Sequence, residues 1–178
     1  MTKIVIFIAG LLLTLTLQAQ VFSTGETLKK GKFSAGIEPL VMVGGHSNGV
    51  NIFLHNGFGL ASGLDLTVTG GVGHGNYIGA DLEWSLGKYI SVAAGAHHFG
   101  DFGLDGTLLF THPLQKSVKL YFGCDAGIVF ANDLYLLLWI PVGLEISLQK
   151  NMSFIFETEI GLTEDSYHII GGGLNFYF

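Results

Sequence analysis

The chain ends on Gly171-Gly172-Gly173-Leu174-Asn175-Phe176-Tyr177-Phe178, and this stretch decides how the rest is read. Ile170, Leu174, Phe176 and Phe178 share one parity, while Asn175, Tyr177 and the glycines at 171 and 173 share the other. On a strand, successive side chains point to opposite faces, so the ending has one apolar face and one small or polar face.

The same alternation runs back through the chain. Ile78, Ala80, Leu82, Trp84 and Leu86 oppose Asp81 and Glu83; Phe102, Leu104, Leu108 and Phe110 oppose Asp105, Thr107 and Thr111. Val118, Leu120, Phe122, Ile128 and Phe130 oppose Lys119, Tyr121 and Asp125; Phe154, Phe156, Ile160 and Leu162 oppose Ser153, Glu157 and Glu159. Phe33, Ile37, Val41 and Val43 oppose Glu38, and Leu64, Leu66 and Val68 oppose Asp65, Thr67 and Thr69. Turn signals divide this pattern into ten segments: 32–43, 49–56, 60–70, 75–86, 89–99, 102–112, 117–130, 133–148, 152–163 and 167–178. In 133–148, Leu136, Leu138, Ile140, Val142, Leu144 and Ile146 oppose Glu145 and Ser147. Pro141 cannot donate to a ladder, so a bulge is expected there, which leaves the face of Trp139 open.

Composition agrees with a chain solvated by lipid on one side. Charged residues are 12%, against about 25% in soluble domains. Mean hydropathy is +0.51. Beyond the first twenty residues no uncharged apolar run reaches the ~20 residues a membrane helix needs. An apolar outer face and a polar inner face predict an all-β fold: a closed antiparallel up-and-down transmembrane β-barrel. Ten strands are expected, with eight or twelve as alternatives.

Residues 1–19 read as a cleaved signal peptide: Lys3, an apolar core from Ile4 to Leu17, and Leu17-Gln18-Ala19 as the cleavage site. Residues 20–31 lack periodicity and read as a periplasmic lead-in, with the barrel domain at 32–178. Cleavage leaves seven lysines against fourteen acids, a net charge of −7, and there is no arginine. That argues against nucleic-acid binding. Cys124, the single cysteine, excludes an intramolecular disulfide.

With both ends in the periplasm, inner turns fall near Asn56-Gly57, Gly87-Lys88, Pro113 to Lys116, and Gln149 to Asn151. Lys88, Lys116 and Lys150 then lie inside, while Asp101, Asp133, Glu164 and Asp165 lie outside. Aromatics near the strand ends, such as Phe33, Trp84, Tyr135 and Tyr167, read as interfacial girdles.

The chain resembles small Gram-negative outer-membrane β-barrel proteins. The resemblance covers the signal-like start, the alternating strands and the Gly-x-x-Phe-x-Phe ending of Gly173, Phe176 and Phe178. It implies an integral outer-membrane location among outer-membrane lipids, with that ending as the signal read by the barrel assembly machinery. His46-Ser47-Asn48-Gly49 resembles the His-any-Ser-Asn motif of outer-membrane lipid A deacylases. Here the His and Ser are adjacent and would diverge, which counts against a base and its nucleophile.

Nine acids share the predicted lumen face: Glu38, Asp65, Asp81, Glu83, Asp105, Asp125, Glu145, Glu157 and Glu159. Lys119 is the fixed cation among them, with His55 and His97 as partial ones. Such a lumen reads as a wet polar plug, a cation path, or a site for a small cation or ligand. His46, His74, His97, His98 and His168 are placed at outer strand ends and His55 and His112 at inner ones. A metal site from His74, His97 or His98 with Asp101 is conceivable, but no metal, cofactor or catalytic residue is assigned. The expectation is a non-enzymatic barrel, either a structural surface protein or a narrow cation-preferring pore. The alternatives are a binding or transport module for a small apolar or cationic ligand and, last, a membrane-embedded lipid hydrolase.

Overall fold

A computed structural model describes residues 26–45 and 48–178. The expected signal peptide, the first part of the expected lead-in, and His46 and Ser47 of the His-Ser-Asn-Gly motif lie outside the described residues.

Ten strands follow one another: β1 (Phe33–Val43), β2 (Gly49–Ala61), β3 (Leu64–Gly73), β4 (Tyr77–Gly87), β5 (Ile90–Phe99), β6 (Asp101–Gln115), β7 (Val118–Phe130), β8 (Leu134–Gln149), β9 (Met152–Gly161) and β10 (His168–Tyr177). Each pairs antiparallel with its neighbours in sequence, and β1 closes on β10. Closure leaves no edge, so each strand has a paired neighbour on both sides, as a hydrocarbon surround requires.

The side chains sort as the alternation predicts. Ile37, Val41, Leu54, Ile78, Trp84, Phe102, Leu104, Phe122, Ile128, Phe156, Ile160 and Ile170 are exposed on the outer wall. Cys124 lies on that wall too. Glu38, Asp65, Glu83 and Glu145 are 3–7% exposed, turned to the enclosed side. This is a transmembrane β-barrel by construction: the surface that would meet water in a soluble protein is apolar.

Two boundaries differ from the sequence reading. The first inner turn is not at Asn56-Gly57. β2 continues to Ala61 and turns at residues 62–63. The Asn-Gly pair mimics a hairpin signal, but Phe58 and Leu60 extend the apolar outer row, and both are exposed on the wall. Consequently His55 lies halfway along β2 rather than near an end.

The second difference is Pro141, which makes no bulge. Phe122↔Val142 and Asp125↔Trp139 keep one register across it, and the ladder is merely interrupted in between. The β9 side runs without a break from Trp139↔Gly161 through Ser147↔Ser153. Losing one ladder bond to β7 is cheaper than rotating the rest of the strand, whose parity is fixed by lipid on one side. Trp139 therefore faces inward and is 6% exposed.

The bulges sit elsewhere, at the four two-residue turns beside the chain termini. Register shifts occur at Gly59/Ala61, Ser85/Gly87, Pro113/Gln115 and Ser147/Gln149, each just before its turn. Gly63, at φ +75°, supplies the left-handed position such a turn demands. The far-end connections are short, none longer than the span 162–167.

The described part of the lead-in is not loose. Gly31 N–H donates to the Gly59 carbonyl at 2.7 Å and Gly59 N–H to that of Lys32 at 2.8 Å. Leu28 is buried, and its N–H donates to Asp65 Oδ2 at 2.6 Å. Glu26 then meets Lys119 Nζ at 2.7 Å. Asp65 is on β3 and Lys119 on β7, nearly opposite in a ring of ten strands, so the segment straps across the mouth at the terminal end.

Candidate functional site: a one-ended lumen

The lumen is built in two storeys. At the terminal end Leu109, Tyr121 and Ile155 form a fully buried cluster, with Ser34, Ser91, Ser153 and Asn175 buried around it. Tyr121 lies across Gly143, its cross-strand partner, where a Cβ would collide with the ring. Its hydroxyl donates to Glu157 Oε2 at 2.6 Å. Tyr177 donates to Glu145 Oε1 at 2.5 Å. Lys119 Nζ lies 3.2 Å from Glu145 Oε2. Two tyrosines, a lysine and a leucine-isoleucine contact thus make a floor, under which the strap lies.

Above it is a cavity of about 360 Å³, within the usual range for small-molecule sites, though at its lower end. It reaches from Glu38, His55 and Glu157 at mid-height to Phe99, Asp101, Tyr135 and Asp165 at the far rim. The nine predicted acids are divided by the floor. Glu38, Asp81, Asp105, Asp125, Glu157 and Glu159 line the cavity; Asp65, Glu83 and Glu145 do not.

Glu38, Asp105, Asp125 and Glu157 are each held by a neighbouring side chain. His55 bridges Glu38 and Thr69, its Nε2 3.0 Å from Glu38 Oε2 and its Nδ1 3.2 Å from Thr69 Oγ1. The order hydroxyl, imidazole, carboxylate is that of an activated nucleophile, and it is what a hydrolase reading would use. His97 Nδ1 contacts Asp105 Oδ2. Thr107 donates to Asp125 Oδ1 at 2.6 Å. Asp81 and Asp105, on β4 and β6, both lean over Gly95 of β5, which pairs with each of them. A Cβ at Gly95 would run into Asp81 Oδ1 and lie 2.7 Å from Asp105 Oδ1. The missing side chain is what lets carboxylates two strands apart meet.

Sequence reasoning missed the aromatic lining. Phe53 and Tyr77 stack with centroids 4.9 Å apart, and Tyr77 stacks on His97 at 5.7 Å. Across the barrel, Trp139 and Tyr167 are 5.5 Å apart, and Trp139 Nε1 donates to the Tyr167 carbonyl at 2.7 Å. Two of the rings lie over glycines paired to them, Phe53 over Gly71 and His97 over Gly103. Flattened against the wall, they leave the centre open. Part of the signal was present: Tyr77 shares parity with Asp81 and Glu83, Trp139 with Glu145, and Phe53, Tyr77 and Trp139 each pair with a glycine.

The histidines do not assemble as the metal idea required. His98 is exposed on the outer wall. His74 N–H donates to Asn51 Oδ1 at 2.7 Å, and His97 engages Asp105. Among the described residues no three His, Cys, Asp or Glu side chains converge on a metal position. His168 Nδ1 accepts from Gly161 N–H at 3.1 Å. Of the ending, Gly173 faces in, paired with Ile155. Phe178 caps the outer row 5.6 Å from Phe33.

These features define a class: a ten-stranded transmembrane barrel whose lumen is open at one end and floored at the other. No family model and no curated protein sequence matches the chain. Solved structures do. The KdgM porin aligns with 82% of this chain and 99% of its own at 10% identity, with a TM-score of 0.50. The translocator domain of the autotransporter NalP from Neisseria meningitidis aligns with 83% of this chain and 88% of its own at 9% identity, with a TM-score of 0.51. At such identities the likeness is one of fold.

Proposed function

We propose that this is an integral outer-membrane barrel that neither catalyses nor conducts, and that its lumen is an outward-facing cup for a small ligand. The terminal end lies in the periplasm and the cup opens outside. The distribution of charge supports that orientation: Lys88, Lys116 and Lys150 occupy the terminal-end turns, Asp133, Glu164 and Asp165 the far loops. Residues 1–19 direct export and are removed, and Gly173, Phe176 and Phe178 present the last strand to the assembly machinery.

The observation that carries the reading is the floor. A cation path would have to pass Leu109, Tyr121 and Ile155, each at most 1% exposed, and then the Leu28 strap. Ten strands give a lumen close to the width that side chains can fill, and here they fill its lower half. Purified protein in planar bilayers is expected to stay at background in potassium, sodium and calcium salts. Changing Tyr121 and Ile155 together to alanine, in protein lacking residues 20–31, is expected to produce cation-selective steps. Resolved conductance from the unaltered protein would restore the narrow-pore reading and remove the cup.

A further inference from the structure

We propose that the cup takes an organic cation, an ammonium group carried on an apolar or aromatic body. The inference rests on the blind-cup reading and names its ligand class.

Charge comes first. Eight carboxyl side chains line the cavity and no lysine does among the described residues. The two lining histidines are already engaged by Glu38 and Asp105. An anion would enter against that field, which low-dielectric walls concentrate rather than screen.

The rings come second. Aromatic faces attract cations through the ring quadrupole, most strongly where water is excluded. Here one wall is Phe53 and Tyr77, the other Trp139 and Tyr167, with Asp81 and Asp105 meeting at Gly95. Carboxylates supply the counter-charge and the rings supply a desolvated surface. A bare metal ion has no use for the rings and, among the described residues, finds no convergent trio of ligands. A neutral polyol can hydrogen-bond to Thr67, Thr69, Thr107 and the carboxyl groups, but it brings no positive charge to set against eight of them. Leu40, Met42 and Leu137 fill the remaining wall, which suits the carbon body of an amine.

The test uses the full barrel in lipid nanodiscs with Trp84, on the outer wall, changed to Phe, so that Trp139 reports. Phenethylammonium and benzyltrimethylammonium are titrated beside 2-phenylethanol, benzoate and calcium. Both organic cations are expected to saturate the signal, with the neutral and anionic analogues at least ~10-fold weaker. Asp81→Asn and Tyr77→Leu are expected to weaken the cations by a similar factor. Glu159→Gln is the fallback should either variant misassemble. Equal binding of 2-phenylethanol, displacement by equimolar calcium, or indifference to all three substitutions would overturn the proposal. If no probe binds while conductance stays at background, the ligand class is wrong and the blind cup stands. If conductance appears, both fall.

Discussion

The smallest decisive groups in this molecule are absent side chains. Tyr121 can lie across the lumen because Gly143 offers no Cβ to meet its ring. Gly143→Ala is therefore expected to push the ring off Glu157 and destabilise the barrel by about 1–3 kcal/mol, the usual cost of overpacking, read by urea unfolding in lipid. The floor's single cation makes an unequal pair of tests. Glu26 is half-buried and its loss leaves Lys119 still beside Glu145, so Glu26→Gln is expected to cost about 1 kcal/mol or less. Lys119→Met strips a carboxylate that is only 3% exposed of its counter-charge. It should cost more, about 1–3 kcal/mol, from the buried group left behind. Equal effects from the two changes would show that the strap, not Glu145, is what Lys119 holds.

Among the elements, β8 is the instructive strand. It carries a proline in mid-sheet without a bulge, because its outer row Leu136, Leu138, Ile140, Val142, Leu144 must keep facing lipid. Parity on a two-sided surface is worth more than one ladder bond, and so the register survives. Pro141→Val is thus expected to leave the Asp125↔Trp139 and Glu145↔Lys119 pairings in place. Hydrogen exchange should reveal one newly protected amide at 141, and a shift in the β7–β8 register would contradict this account. Bulges cluster instead at the four terminal-end turns, where a local twist closes a two-residue hairpin and the extra residue, Leu60, Leu86, Leu114 or Leu148, adds one exposed leucine at the very end of the outer row.

The molecule as a whole is held by a solvent on each side of its wall. The outer wall wants hydrocarbon, so a charge placed at mid-height should be expensive. Leu54, 53% exposed halfway along β2, is a suitable position. Leu54→Lys is expected to destabilise the membrane-inserted barrel by about 2–4 kcal/mol, measured by reversible unfolding from liposomes. A change below ~0.5 kcal/mol would mean that this face does not meet acyl chains. The inner side is an enclosed polar volume divided by a floor, and that division separates a cup from a pore.

Strand number and the inward or outward sense of most strand residues were legible in the alternation around such residues as Asp81 and Glu157, because parity is a local property, whereas the division of the nine acids by the floor was not. Each residue's face follows from its immediate neighbours, and lipid makes any slip costly. The Asn56-Gly57 turn and the Pro141 bulge were misread where a local signal lost to the continuity of an apolar row. What parity does not carry is reach. That Tyr121 reaches Glu157 over Gly143 and that Asp81 and Asp105 meet over Gly95 depend on the register of three paired strands, and that Glu26 finds Lys119 depends on closure, which brings β7 opposite the start of the chain. Only the closed tertiary structure decides where the lumen is filled and where it stays open.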